Sequence, residues 1–409
     1  MSDHRTPRIL TRCRLCASDN LVSALELKPT ALCDAYLKIP RQQTLHPLEL
    51  LLCHDCGFVQ LSCVVDPEEI YRDYIFVTTS SSPLQQHFSD YAEDVLRVIG
   101  APRGLTVVDV GSNDGTLLKH FKKRNCEVLG IEPAREIALQ AAEEGIPTVP
   151  EFLSPASVQD ALRRIGPADL ITVNNLFANV DDLVEFVDVA KSLLKKNGYI
   201  VIESSYLKDM IDNMVFDFIY HEHLSYFSVQ PLAQFFNRQG MTLVDAVPVT
   251  TKGGSLRYFV KYADVPSEVS PRLIDLIEKE ERSGLSSLSS FKRFQEKILR
   301  AKDELTNVLG SYAKNTVIGY GASATSTTLI EMFELRDKLS MLVDDFEAKQ
   351  GTYSPGAHIP VCAPSEMYRP ETEVVVILAW RYAEQIVSQH KGFKGRFIVP
   401  LPTLRVIEN

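Results

Sequence analysis

Three sets of residues in this chain are spaced for chemistry. The first is cysteine: Cys13-Arg14-Leu15-Cys16 and Cys53-His54-Asp55-Cys56 form two Cys-x-x-Cys pairs. Each pair lets both sulfurs of a tight turn meet one ion, so the spacing predicts a single tetrahedral zinc on Cys13, Cys16, Cys53 and Cys56. Four thiolates leave no position for water, so such an ion ties loops together rather than doing chemistry. Gly57 suits the turn after the second pair, and His54, inside that pair, reads as a bystander. Cys33, Cys63, Cys126 and Cys362 lack such spacing and read as small buried apolar residues.

The second set is the segment Val107-Val108-Asp109-Val110-Gly111-Ser112-Asn113-Asp114-Gly115-Thr116, an apolar strand joined to a helix through two glycines. Such a turn lets backbone approach a ligand at the carboxyl end of a sheet. It is neither Gly-x-Gly-x-x-Gly nor a P-loop, which removes the main support for a dinucleotide or a triphosphate and favours a methionine-derived nucleoside. Glu132, ending the next strand, stands where a carboxylate accepts both ribose hydroxyls. Asp109 and Asp114 are candidates for the ammonium of the methionine portion, and Asn174 and Asn175, at the end of a later strand, for the same crevice with Gly111, Asn113 and Gly115. The third set is Tyr220-His221-Glu222-His223, four polar residues in succession that serve no amphipathic pattern.

The elements that must position these groups follow from hydrophobic periodicity. Up to about Asp66 the chain is cysteine-bearing, with Pro29 and Pro40 breaking it into loops and short strands. A helical pattern runs from Tyr71 to Ile99. Strands are then predicted at Thr106–Val110, Glu127–Glu132, Leu170–Asn174 and Gly198–Glu203, with helices near Thr116–Lys123, Arg135–Glu144 and Val184–Leu194 between them. That alternation is the mark of a parallel sheet. An antiparallel pair, Thr242–Val249 and Ser255–Tyr262, closes it. Charged helices at Pro271–Glu281 and Leu288–Ser311 read as a spacer or packing arm. A second βα start at Val317-Ile318-Gly319-Tyr320-Gly321, with strands at Ser340–Asp344 and Val374–Trp380, opens a smaller α/β unit. The predicted domains are 1–70, 71–265 and 266–409.

Composition narrows the function. A chain of 409 residues with 45% hydrophobic and 23% charged residues is that of a multidomain globular protein. A net charge of -10 disfavours a surface that tracks phosphates, so no nucleic-acid partner is expected. No apolar run is long enough for a bilayer, and the first residues lack a signal-peptide core, so no membrane partner and a cytoplasmic location are expected. The oligomeric state is left open, with a monomer favoured.

Taken together, these residues resemble the sugar C-methyltransferases of deoxysugar biosynthesis. The resemblance rests on the paired cysteines, the loop from Val110 to Thr116, the run Tyr220 to Phe227, Gly253-Gly254-Ser255-Leu256-Arg257, Gly319-Tyr320-Gly321-Ala322 and the segment Lys349 to Gly356. It implies an α/β architecture: a zinc-binding N-terminal module, a central Rossmann-like class I methyltransferase domain and a C-terminal Rossmann-like domain. It also implies S-adenosylmethionine (SAM) as methyl donor, structural zinc, and a nucleotide-linked 4-keto sugar as substrate.

C-methylation needs a base for the proton beside the ketone and a partner for the enolate oxygen. By resemblance His223 is the leading base and His221 the lesser one. Tyr220 is the donor to the enolate or a positioning group, Glu222 orients a histidine or binds a sugar hydroxyl, and Tyr74 contributes from a lid. Asn179 and Lys252 stand where relatives often carry histidine, and Thr325 where lysine is common. Asn179, Lys252 and Gly253 are therefore expected at the substrate. Arg257 reads equally as a fork on phosphate or as part of a hairpin. Tyr320, Ser323 and Lys349 are candidates for a nucleotide shelf, set against simple strand–helix packing. The competing readings are an O- or N-methyltransferase, a non-catalytic zinc- and nucleotide-binding relative, and a dehydrogenase using the C-terminal glycine turn.

Overall fold

The computed structural model describes residues 7–66, 69–70, 82–100 and 104–408. Tyr74, the expected lid residue, lies outside them. Seven strands form the central sheet: β1 (Thr106–Val110), β2 (Glu127–Ile131), β3 (Thr148–Val149), β4 (Ala168–Asn174), β5 (Leu194–Ser205), β6 (Met241–Val249) and β7 (Ser255–Tyr262). Their order is β6-β7-β5-β4-β1-β2-β3, with β7 alone antiparallel to its neighbours. Every residue of β1 is buried, as expected of a strand covered on both faces. The chain reverses direction of growth between β1 and β4, which opens a crevice at their carboxyl ends.

Most of the predicted elements are present within a residue or two. The two-residue β3 and the helices Pro155–Ile165 and Val229–Arg238 were not predicted. β5 begins four residues before the predicted strand because an irregular register lets Leu194 pair with Ala168 ahead of Gly198. Of the helical pattern expected from Tyr71 to Ile99, residues 71–81 lie outside the described residues, and the rest is the helix Ser82–Val98.

The C-terminal unit has its own six-stranded sheet: β8 (Val317–Tyr320), β9 (Leu342–Val343), β10 (Val361–Cys362), β11 (Val374–Ile377), β12 (Arg396–Val399) and β13 (Arg405–Glu408), in the order β10-β9-β8-β11-β12-β13. The predicted arm, helix Leu288–Leu309, is a packing element. Its residues Phe291, Phe294, Ile298, Ala301, Leu305 and Leu309 share a core with Leu25, Leu27, Leu48 and Leu50 of the N-terminal sheet and with β8 and β11.

Arg257, which the sequence leaves open between a fork on phosphate and a place in the hairpin, takes the hairpin place in the structure. It lies on β7 directly opposite Glu203 of β5, and its guanidinium Nε and Nη2 reach a Glu203 carboxylate oxygen at 3.0 and 2.9 Å. Both side chains are almost fully buried, and the guanidinium stacks 4.0 Å from the centre of the Tyr91 ring. His87 completes the cluster, 2.6 Å from the second Glu203 oxygen. The arginine fork is thus committed inside the protein and faces no phosphate. Removing one partner of such a pair leaves an uncompensated buried charge. Arg257→Met is expected to lower stability by about 3–5 kcal/mol in urea unfolding, and Glu203→Leu added to it to recover part of that loss. A single-variant cost below about 1 kcal/mol would contradict the assignment.

Candidate active site and metal centre

The glycine loop after β1 is shaped by backbone. Gly111 (φ 73°) and Gly115 (φ 72°) are left-handed, and a Cβ on Gly111 would come within 3.0 Å of Leu176. Glu132, just past β2, accepts the amides of Asn113 and Ala134, one on each carboxylate oxygen, both at 2.9 Å. It thereby holds the loop, and each oxygen keeps a lone pair for a hydroxyl. Burial raises the pKa of this carboxyl.

Asp109 is turned inward, accepting the Thr172 hydroxyl at 2.6 Å, and burial pushes its pKa up to about 7. Asp114 is buried and accepts the amide and hydroxyl of Thr116 at 3.1 and 2.6 Å, closing the start of the next helix. Both carboxylates are thus engaged within the protein. Across the crevice Asn174 follows on β4, its amide Nδ2 3.5 Å from Asp109 and its Oδ1 buried without a partner. Asn175 is left-handed (φ 54°). Two left-handed glycines, a carboxylate one strand over and an orphaned amide oxygen fit a nucleoside-bearing cofactor such as SAM.

The four paired cysteines converge, with all four sulfurs within 4.8 Å of one another. Cys13 lies 3.6 Å from Cys56, and Cys16 3.6 Å from Cys53. Zinc–sulfur bonds of about 2.3 Å put tetrahedral vertices about 3.8 Å apart, so the cluster fits zinc. The two knuckles are also tied together by Asp55, which accepts Ser18 and Asn20 at 2.5 and 2.8 Å.

The second knuckle feeds directly into the strand Val59–Leu61, the third of an antiparallel sheet with Leu21–Thr30 and His46–Cys53. The fourth strand of that sheet is Ser225–Tyr226, immediately after the polar run. Further bonds pin the run: the Leu61 amide to the Leu224 carbonyl (3.0 Å), the Leu224 amide to Ala178 (2.8 Å) and the Thr328 hydroxyl to Ile219 (2.9 Å).

Within the run the residues diverge. His221 points to the N-terminal module, with Nε2 3.1 Å from the Pro47 carbonyl and its ring edge-on to His46. His223 turns the other way. Its Nδ1–H donates to the Phe218 carbonyl at 2.9 Å, which fixes the tautomer and leaves Nε2 with a free lone pair. Burial, assisted by Lys252, lowers its pKa to about 4, so the imidazole is neutral near pH 7. The Tyr220 ring packs against it, with centroids 4.2 Å apart.

His223 lines a narrow pocket with Asn175, Ser204, Tyr226, Phe218 and Lys252. The imidazole therefore shares one space with Asn175 and Ser204, at the carboxyl ends of β4 and β5. Asn179 ends the 3-10 turn Phe177–Asn179. Glu222 is half-buried, and burial beside Asp34, offset by Lys252 and Lys349, raises its pKa to about 7.

The C-terminal candidates are spread out. Lys349 donates to Asp34 (2.9 Å) and to the Ala322 carbonyl (2.8 Å) and lies over the Tyr36 ring. Ser323 caps the helix Ala324–Met332. The Tyr320 hydroxyl donates to Asp345 at 2.9 Å and lies 3.0 Å from His390. Gly253 (φ 86°) sits in the β6–β7 turn, its carbonyl bonded to Asn213.

Sequence reasoning passed over Tyr226, which lines the pocket, and Arg381, which bonds to buried Asp217 (2.9 Å) and stacks over Phe218. The position of Arg381 just past a parallel strand was the available signal.

Zinc removal tests the link between knuckle and pocket. The chain is expected to bind one zinc, and chelation to raise hydrogen exchange at Leu61, Leu224 and Tyr226 by about tenfold or more, while SAM affinity changes less than about threefold. Unchanged exchange at these amides would break the link.

Three family models match in succession: a zinc binding domain (residues 13–71), a methyltransferase domain (84–246) and a C-methyltransferase C-terminal domain (250–402). The chain is 29% identical to the C-methyltransferase NovU of Streptomyces niveus, over 98% of this chain and 97% of that protein. Among solved structures, a SAM-dependent methyltransferase from Clostridium acetobutylicum ATCC 824 is 12% identical with a TM-score of 0.35, covering 48% of this chain and 95% of that one. The magnesium protoporphyrin IX methyltransferase of Synechocystis PCC 6803 with bound SAH is also 12% identical, with a TM-score of 0.34, covering 43% and 83%. The fold is identified by the strand order and the succession of matched domains rather than by these distant likenesses. With its four-cysteine cluster and its SAM-type crevice, the chain carries in order the domains that these models describe: zinc binding, methyltransferase and C-methyltransferase C-terminal.

Proposed function

We propose that the chain methylates a nucleotide-linked 4-keto deoxysugar at a carbon next to the ketone. The observation that carries this reading is the free Nε2 of His223 in a pocket shared with Asn175 and Ser204 at the carboxyl end of the central sheet. A neutral imidazole held in one tautomer is suited to accept a proton from carbon, which methylation of oxygen or nitrogen does not require. The full-length likeness to a protein named a C-methyltransferase supports the same reaction.

In this reading Gly111, Asn113, Gly115, Glu132, Asn174 and Asn175 hold SAM, which supplies an electrophilic methyl group when bound. His223 removes the α-proton. Tyr220, packed on the imidazole, fixes its orientation, and Glu222 meets a sugar hydroxyl. Lys349 and Ser323, with Asp34 and Tyr36 beside them, form the side along which the nucleotide lies. His221, bonded to Pro47, positions the loop.

The test is incubation with SAM and a panel of nucleotide-linked 4-keto-6-deoxy sugars in heavy water, read by mass spectrometry. One added methyl group, with deuterium wash-in at the α-carbon, is expected; methylation without wash-in assigns the chain to oxygen or nitrogen. His223→Ala is expected to lower turnover by about 100-fold or more. The wild-type rate is expected to be lost as pH falls through about 4, where His223 takes up a proton. Near-normal turnover of His223→Ala would remove the base assignment.

A further inference from the structure

The β6–β7 turn carries a lysine in a backbone conformation that suits glycine or asparagine. Lys252 has φ 56° and ψ 25°, left-handed for a long side chain. The turn cannot relax, because it is pressed onto the segment beneath it. A Cβ on Gly254 would meet Asp209 at 2.3 Å, and one on Gly253 would meet Val215 at 2.7 Å. Three hydrogen bonds lock it: Asn213 to the Gly253 carbonyl (2.9 Å), the Tyr206 amide to the Gly254 carbonyl (3.1 Å) and Ser255 to the Thr251 carbonyl (3.1 Å). The geometry fixes the lysine rather than leaving it to wander.

The side chain so held lines the same pocket as His223. Among the described residues its ammonium makes no hydrogen bond or ion pair. The charged groups that face it are Glu203, Glu222 and Arg381. Glu203 is already bonded to Arg257 and His87, and Arg381 to Asp217. The other cations nearby are thus answered by buried or half-buried carboxylates, whereas Lys252, among the described residues, lines the pocket with no carboxylate bonded to it. The ring of Tyr220, the other group expected at the enolate or in positioning, packs against the imidazole.

We propose that Lys252 is a catalytic residue whose ammonium donates a hydrogen bond to the substrate's carbonyl oxygen as that oxygen takes up negative charge. This rests on the reading under Proposed function. As the α-carbon loses its proton to Nε2 of His223, the C–H electron pair moves into the carbonyl system and the charge reaches oxygen, where the lysine N–H holds it. The pair returns when the new carbon–carbon bond forms and the sulfur–methyl bond breaks, its electrons leaving with sulfur. Lysine stays protonated throughout, and the imidazolium gives its proton to solvent. Burial lowers the lysine pKa to about 8, so the active form, neutral His223 with charged Lys252, is lost above that pH as well as below about 4.

The experiment compares wild type, Lys252→Met and Lys252→Arg on the same panel of nucleotide-linked 4-keto-6-deoxy sugars, with calorimetry against SAM as the control for folding. Lys252→Met is expected to lower kcat and α-deuterium exchange together by about 100-fold or more, with KM within about threefold. The alkaline limb near pH 8 is expected to vanish in Lys252→Met and to move to higher pH in Lys252→Arg, with SAM affinity unchanged in both. A kcat for Lys252→Met within about threefold of wild type overturns the proposal and leaves the C-methylation reading standing. Should Lys252→Met fail to bind SAM, an alkaline limb unmoved in Lys252→Arg overturns it equally. A wild type that exchanges no α-deuterium with any sugar of the panel removes both readings.

Discussion

The pairing of Ser225–Tyr226 with Val59–Leu61 is the constraint on which the site depends. It makes the polar run the approach to the edge strand of a sheet that belongs to the zinc module, so the backbone of residues 220–224 is fixed at both ends. A loop bearing two histidines and a glutamate has little apolar surface of its own to bury, and an unpaired backbone there would fray. The zinc supplies the missing rigidity at one remove. It closes the knuckle that starts Val59–Leu61, and the strand hands that rigidity to the loop. A closed four-thiolate centre with no chemistry of its own thereby sets where an imidazole points.

The electrostatics of the pocket follow from how cations are distributed around it. Arg257, Arg381 and Lys349 are each answered by a carboxylate, Glu203, Asp217 and Asp34 respectively. Two of those carboxylates are almost fully buried, and a buried carboxylate is tolerated only where it is paired and hydrogen-bonded. Their partners are consequently unavailable to a ligand. Lys252 is set apart from them by the turn that holds it, and its charge reaches His223 as well, helping to keep the imidazole neutral. Charge neutralisation in the core and charge presentation in the pocket are two sides of one arrangement.

The cofactor crevice shows a similar economy of parts. Glu132 reads from sequence as a ribose ligand, and in the structure the same carboxylate first organises the glycine loop through two amides. Asp114 illustrates the opposite case, since its carboxylate is spent on the first turn of the helix that follows. A short acidic side chain at a loop–helix junction finds backbone donors sooner than it finds a ligand.

What the sequence determined alone were features written in local spacing. Two Cys-x-x-Cys pairs dictate a metal, because each brings its own sulfurs together whatever the rest of the chain does. The apolar run with glycines after Asp109 dictates a strand and a tight turn, and the alternation from Thr106 to Glu203 dictates a parallel sheet. The polar run announced itself because no amphipathic pattern accounts for it. Tertiary structure alone decided which way each side chain faces. Arg257 meets Glu203 because β5 and β7, 54 residues apart at that pair, register these two residues opposite each other. His221 and His223, two residues apart, face different domains because the loop is seized from both sides. Such outcomes depend on strand register and on partners far along the chain, and local periodicity carries neither.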